Sequence, residues 1–197
     1  MDLVPKVSRR RRRARGFGLD LALGGSAVLI SVISLFVAIH QSQVADKMVQ
    51  ADTWPYLDFV ASNLDDAGHK SVTLTLLNSG VGPAKIESIE LTYDGIPLRS
   101  GRDLLVRCCV PQKVSYLGAT VFDRVLPSKD TLLLFGSEPG ALTPDEFAKL
   151  DAARSKIQAR VCYCSALDRC WLRDTTKRRA QEVDSCPEPK APFGANG

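Results

Sequence analysis

Six cysteines, Cys108, Cys109, Cys162, Cys164, Cys170 and Cys186, carry the densest chemistry in the chain. Sulfur at such positions can form structural disulfides, exchange disulfides with a partner, or bind a soft metal as thiolate. Zinc sites favour cysteine pairs two to four residues apart, often with histidine. Here there is no C-x-x-C, and the only histidines are His40 and His69. Cys162-x-Cys164 supplies an alternative, an accessory thiol–disulfide pair. That activity needs a low-pKa thiolate, and no helix N-terminus or histidine lies nearby in sequence to lower it. The even count points first to structural disulfides of an oxidising compartment. Cys164 and Cys170 flank a five-residue loop and suit a bridge across a hairpin. Cys162 shares a strand face with Cys164 and can reach the segment holding Cys186. Adjacent Cys108 and Cys109 would be strained if joined, and are expected to take different partners or to stay reduced.

No other nucleophile constellation is present: the chain lacks G-x-S-x-G, S-x-x-K, H-E-x-x-H and a phosphate loop. Asp65-Asp66 belongs to a turn, and Asp145-Glu146 to the first turn of a helix. Trp171, next to Cys170 on a strand, reads as a core ring packed on a disulfide. The expectation is therefore a protein without enzymatic activity, catalytic residue, cofactor or metal.

The elements that must position these sulfurs begin with a membrane span. Leu21 to Ile39 are nineteen consecutive residues without a charge. At about 1.5 Å per helical residue they cover roughly 28 Å, the thickness of a bilayer's hydrocarbon core. A cleaved signal peptide would have a shorter apolar core and a small-x-small site directly after it. His40-Gln41-Ser42-Gln43 follows instead, and Val49-Gln50-Ala51 lies ten residues past the run. A soluble core helix is rarely apolar on every face. No hydrophobic pair follows the arginines at the spacing that twin-arginine export requires. The segment reads as an uncleaved anchor, helical through Val44, Ala45, Met48 and Val49 and ending before Trp54-Pro55.

Charge orients that anchor. Residues 1–16 hold Lys6, Arg9, Arg10, Arg11, Arg12, Arg13 and Arg15 against Asp2, a net of +6, while the whole chain carries +4. Basic residues beside a span stay on the cytoplasmic side, so the tail is expected inside, in contact with anionic lipid, and everything from Trp54 outside. Arg-rich runs also bind nucleic acid, but topology already accounts for the position of this one, and no nucleic-acid partner is expected. Gly24, Ala27, Ser31, Ser34 and Ala38 alternate in steps of three and four. That spacing lines one helical face with small residues and would suit a homodimer.

Beyond Pro55 the period changes from helical to alternating. Leu57, Phe59 and Ala61 face one side, and Val72, Leu74 and Leu76 repeat the pattern after a turn at Asp65-Asp66-Ala67-Gly68. Asn78-Ser79-Gly80-Val81-Gly82-Pro83 breaks the chain, its glycines read as positive-φ positions and Asn78 as a turn acceptor. A strand from Ala84 to Tyr93 carries a bulge near Glu87-Ser88, because Ile86 and Ile89 are out of phase. Further strands are expected at Ala119–Leu126, Thr131–Phe135 and Ile157–Cys164. Thr143-Pro144-Asp145-Glu146 starts a helix through a capping box and buries Phe147 and Leu150. After Asp184 the Pro, Gly and Ala content predicts a loose tail.

The pieces Ala38-Ile39-His40-Gln41, Trp54-Pro55-Tyr56, Asn78-Ser79-Gly80-Val81-Gly82-Pro83-Ala84 and Cys162-Tyr163-Cys164-Ser165 with Cys170-Trp171 make the chain resemble a group of uncharacterised bacterial membrane proteins. The resemblance implies one N-terminal span and a periplasmic β-rich domain, and carries over no catalytic residue. Together these readings predict a mainly β protein: a transmembrane helix, then an immunoglobulin-like β-sandwich with one short inserted helix. The expected divisions are a basic cytoplasmic tail (1–16), the span (17–40), a juxtamembrane helix or stalk (41–54), the periplasmic sandwich (55–183) and a flexible tail (184–197). The expected location is the bacterial inner membrane with the N-terminus in the cytoplasm. The expected role is binding or scaffolding for an envelope protein, with a thiol–disulfide role through Cys162 and Cys164 as the alternative.

Overall fold

The computed structural model describes residues 11–65, 67–110, 114–119, 121 and 123–194. The chain divides into two units, Met1–Val49 and Gln50–Gly197. A single helix, α1 (Arg11–Asp52), joins the end of the basic tail, the span and the stalk in one element. Its segment Leu21–Asp52 is long and apolar enough to cross a membrane, and the most apolar stretch of it is not buried by any other part of the protein. Arg9 and Arg10 lie outside the described residues, and Arg11, Arg12, Arg13 and Arg15 form the first turns of α1. Gly24, Ala27, Ser31, Ser34 and Ala38 all lie on α1, and the Ser31 hydroxyl donates to the Ala27 carbonyl at 2.8 Å. The helix stops three residues before Pro55, as the restriction on pre-proline residues requires.

The second unit is mainly β. Its strands are β1 (Leu57–Leu64), β2 (Lys70–Asn78), β3 (Ala84–Tyr93), β4 (Ile96–Leu98), β5 (Tyr116–Leu117), β6 (Arg124–Leu126), β7 (Thr131–Ser137), β8 (Ile157–Cys164), β9 (Cys170–Asp174) and β10 (Gln181–Val183). They form two antiparallel sheets. One runs β1-β2-β7-β5; the other runs β10-β9-β8-β3-β4, with β6 also paired to β3. Alternation along the strands aims Leu57, Val72, Leu74, Leu76, Leu132 and Leu134 of the first sheet inward. Ile89, Leu91, Ala159, Val161 and Tyr163 of the second point inward as well, and all belong to one hydrophobic cluster. The out-of-phase residues of β3 are absorbed where the register with β8 shifts between Ile86 and Ser88. Asp94 and Gly95 both take positive φ, the geometry of a tight hairpin turn between β3 and β4.

Two helices are inserted where the sequence pattern suggested one. α3 (Pro144–Arg154) has the full capping box at Thr143 and Glu146 and buries Leu150, with Phe147 packed against the core. α2 (Gly101–Cys108) escapes periodicity because it is only eight residues long and opens on glycine. Ser100 caps it, and Leu104 and Leu105 are buried. The strand expected over Ala119–Leu126 is confined, among the described residues, to Arg124–Leu126. The left-handed φ of Asp123 interrupts it, while Thr120 and Phe122 lie outside the described residues. Asp66 of the first turn is likewise outside them.

The tail is not loose over residues 184–194. Cys186 is disulfide-bonded, the Lys190 and Ala191 amides donate to Glu90 Oε1 at 2.7 and 3.2 Å, and Phe193 is buried in the core cluster. The Phe193 amide donates to the Ile89 carbonyl at 2.8 Å, taking the stretch of β3 edge left between β6 and β4. A Pro- and Gly-rich composition thus describes a segment that is irregular yet docked at fixed points.

Candidate functional site

Two straps close the domain, one at each end of its chain, and the chemistry sits under the second. The first is the entry segment, residues 50–56. As the chain leaves α1, the amides of Val81 and Gly82 donate to the Trp54 carbonyl at 3.0 and 3.2 Å, and the Ser79 amide donates to the Tyr56 carbonyl at 2.8 Å. Asn78 is fully buried beneath this turn. Its Oδ1 accepts from the amides of Gly80 and Tyr56, and its Nδ2 donates to the carbonyls of Gly82, Leu126 and Pro127.

The glycines of this turn serve close approach and not positive φ, which corrects the sequence reading. Neither Gly80 nor Gly82 has a left-handed φ. A Cβ on Gly82 would strike the Thr53 backbone, and one on Gly80 would strike the backbone of Trp54, Pro55 and Tyr56. Arg169 ties the same entry to the second sheet. Its guanidinium donates to Gln50 Oε1 at 2.8 Å and to Glu182 Oε1 at 2.6 and 2.9 Å, and it lies 5.8 Å from the centre of the Trp171 ring.

The second strap is the tail, and three sulfurs lie under it, with a fourth, that of Cys186, on the strap itself. Cys162 and Cys164 occupy alternate positions of β8 on the face away from the core, opposite to Val161 and Tyr163. Cys164 stands directly across from Cys170 in the β8–β9 register, their Cα atoms 4.0 Å apart, and the two are joined. Cys162 is joined to Cys186 of the tail, with a Cα separation of 5.7 Å. The first is the pair suited to a hairpin, and the second joins the strand face of Cys162 to the segment it can reach. Three of the sulfurs, on Cys164, Cys170 and Cys186, lie within 4.8 Å of one another, and Cys164 Sγ is 3.9 Å from Cys186 Sγ. Bonded in disulfides, they present no thiolate to a metal. Cys162 is fully buried and Cys164 and Cys170 are nearly so, whereas Cys186 is partly open.

Cys108 and Cys109 are joined to each other at the end of α2, contrary to the expectation of separate partners or free thiols. The other four cysteines are consumed in the pairs above, so no third partner remains in the chain. The helix ends here, where Cys109 leaves helical backbone at φ −161° and ψ −26°.

Trp171 is a core ring, as its position suggests, but not one packed on the neighbouring disulfide. It points into the core, away from Cys170, and stacks on the Tyr163 ring with centroids 6.0 Å apart. The Tyr163 hydroxyl is buried without a hydrogen-bond partner among the described residues, with the Leu57 backbone nearby. Burial pushes this phenol up to about 12. In the β1–β2 turn, the His69 amide holds the Asp65 carboxyl below its usual range, and the His69 ring lies 3.1 Å from that carboxylate. Both groups are thereby accounted for by the turn itself.

The outer faces of the two sheets differ. Over β3 and β8 the tail borders a half-open pocket of about 270 Å³, with Glu90, Arg160 and Lys190 at its rim. Across the outer face of the β1-β2-β7-β5 sheet, among the described residues of the domain, runs an open groove of about 590 Å³. Val60, Leu117 and Leu133 supply its apolar lining, and Ser62, Thr73 and Thr75 its hydroxyls. Residues that the sequence reading did not mark for function, Glu90, Arg169 and Phe193, are the ones that fasten the straps. Phe193 left one signal, a lone aromatic in a tail of small residues. Comparison with protein-family models, curated proteins and solved structures finds no match for this chain.

Proposed function

We propose that this protein is a single-span, N-in inner-membrane protein that presents a disulfide-stapled β domain in the periplasm as a binding or scaffolding module for an envelope partner. The observation that carries the reading is the pairing of all six cysteines in a domain that follows an apolar helix and an arginine cluster. Cytosolic thiol pools reduce such bonds, whereas an oxidising compartment keeps them. The strand order supports the finer fold assignment. β1-β2-β7-β5 opposite β9-β8-β3 follows the A-B-E-D and G-F-C order of immunoglobulin domains, with β4 beside β3 in the place of an added C′ strand.

The uncovered groove on the first sheet is the surface offered to the partner, because it combines exposed apolar side chains with hydrogen-bonding hydroxyls and lies outside both straps. The small-residue stripe from Gly24 to Ala38 gives a second copy's helix a face for close packing. Anionic lipid at the arginine cluster completes the anchoring.

Reporter fusions after Gly197 test the topology. An alkaline phosphatase fusion is expected to be active and a green fluorescent protein fusion dark; the reverse pattern overturns the reading. A photo-crosslinker at Leu133 is expected to capture a defined envelope protein in intact cells, and one at Glu90 is not.

A further inference from the structure

We propose that the two disulfides under the tail act as one exchange unit, in which Cys186 receives electrons from an external dithiol and passes them to the buried Cys164–Cys170 bond. Three observations carry this. Cys186 is the only one of the four sulfur-bearing residues that is more than marginally exposed, so a reductant meets it first. Its sulfur lies 3.9 Å from Cys164 Sγ, near van der Waals contact, although the two are not bonded. Cys162 and Cys164 are successive outward positions of one strand, so the tail sulfur can move its bond from one to the other with little displacement of the backbone.

The steps balance. A thiolate of the external dithiol attacks Cys186 Sγ; a mixed disulfide forms and Cys162 leaves as thiolate, taking a proton. The second thiol of the dithiol resolves the mixed disulfide, leaving the dithiol oxidised and Cys186 as thiolate. Cys186 then attacks Cys164 Sγ, the Cys164–Cys186 bond forms, and Cys170 leaves as thiolate and takes a proton. One dithiol has been oxidised and one protein disulfide reduced. The tail remains tethered throughout the product state, at Cys164 in place of Cys162. The unit is thus a redox latch that survives one round of reduction, and it differs from a C-x-C pair because Cys162 and Cys164 never bond to each other. It does not depend on the membrane topology or on the groove partner.

Graded reduction of the full-length chain in detergent with dithiothreitol, acid quenching, alkylation and peptide mapping tests it. The expected main species after one two-electron reduction of the four-sulfur group carries Cys164–Cys186, with Cys162 and Cys170 alkylated. If that species instead retains Cys164–Cys170, with Cys162 and Cys186 alkylated, the proposal is overturned. The double variant Cys162→Ser/Cys170→Ser gives an independent reading. It is expected to form Cys164–Cys186 on air oxidation, and two free thiols in a folded variant would likewise overturn the exchange. Should the variant fail to fold, the wild-type map alone decides.

Discussion

The domain holds the two ends of its chain by different balances of backbone and side-chain contact. At the entry, residues 50–56 are gripped by backbone against backbone: carbonyls of Trp54 and Tyr56 meet amides of Ser79, Val81 and Gly82, and glycines let the strands of the clamp touch. At the exit, residues 184–194 are held mainly through side chains, by one disulfide, one carboxylate and one buried ring, and the Phe193 and Gly194 amides add backbone bonds to Ile89 and Arg99. The backbone bonds of this clamp hold no titratable or redox group, and the charged Arg169–Glu182 pair reaches it only at Gln50, so the clamp answers weakly to conditions and is intolerant of substitution at its glycines. The exit strap tolerates many substitutions between its fixed points but answers to reductant. Permanence belongs to the end that joins the apolar helix, and adjustability to the end that covers the sulfurs.

The largest expected effect breaks the entry clamp from beneath. Asn78→Ala removes the acceptor of the Gly80 and Tyr56 amides and a donor to the carbonyls of Gly82, Leu126 and Pro127, of which Pro127 keeps the Asp130 amide. At about 1–3 kcal/mol per buried orphan, partly relieved by water, the loss should be about 4 kcal/mol in denaturant unfolding. An effect under about 1 kcal/mol would show that the clamp stands without its hub. Gly82→Ala should cost about 3 kcal/mol, the upper range for overpacking, because its new methyl meets the Thr53 backbone and no flexible side chain can yield. Limited proteolysis should cut near Gln50–Tyr56 in this variant and not in wild type.

At the exit, Cys186→Ser opens a link between residues 24 apart and should cost about 3 kcal/mol by loop-closure entropy. The sharper expectation is spatial. Hydrogen exchange should rise at residues 184–194 and stay unchanged at residues 50–56 and 78–83; joint loosening would erase the contrast between the straps.

Tyr163 lies below the Leu57 end of the entry, on the strand that carries Cys162 and Cys164. Its folded value near 12 exceeds the ordinary 10.0, so the folded state keeps the phenol proton longer. Its contribution is fully present below pH 10 and is lost as pH rises from 10 to 12, by about 2–3 kcal/mol at about 1.4 kcal/mol per unit. Tyr163→Phe should flatten that part of the stability curve without lowering stability at pH 7. A decline between pH 10 and 12 as steep as that of wild type would assign the alkaline loss elsewhere.

The smallest expected effect is Glu90→Gln. It keeps an acceptor for the Lys190 and Ala191 amides but removes the charge that strengthens those bonds and pairs with Arg160 at 3.4 Å. About 1 kcal/mol is expected, together with faster reduction of Cys162–Cys186.

The contrast between the straps also separates what was legible in the sequence from what was not. Local signals translated directly: the capping box of α3, the bulge in β3, the alternation of β2 and the stop before Pro55 each depend on residues a few positions apart. The Cys164–Cys170 bridge was readable for the same reason, since the two residues face each other across one hairpin. α2 was missed because eight residues are too few for a helical period to emerge, and Ala119–Leu126 was over-read because Asp123 turns the chain. The tail was misread because composition reports the absence of regular structure, which is not the absence of contact.

By itself, then, the sequence determined an apolar helix, a mainly β domain, its clearer turns and which cysteines a hairpin can join. These follow from periodicity, proline and glycine chemistry, and chain reach over short separations. Only the tertiary structure decided that Gly80 and Gly82 are demanded by the backbone of Thr53–Tyr56, that Glu90 and Phe193 receive the tail, and that Cys186 rests against Cys164 while bonded to Cys162. Each of these joins segments distant in sequence, and a contact of that kind exists only once two sheets have closed on a shared core.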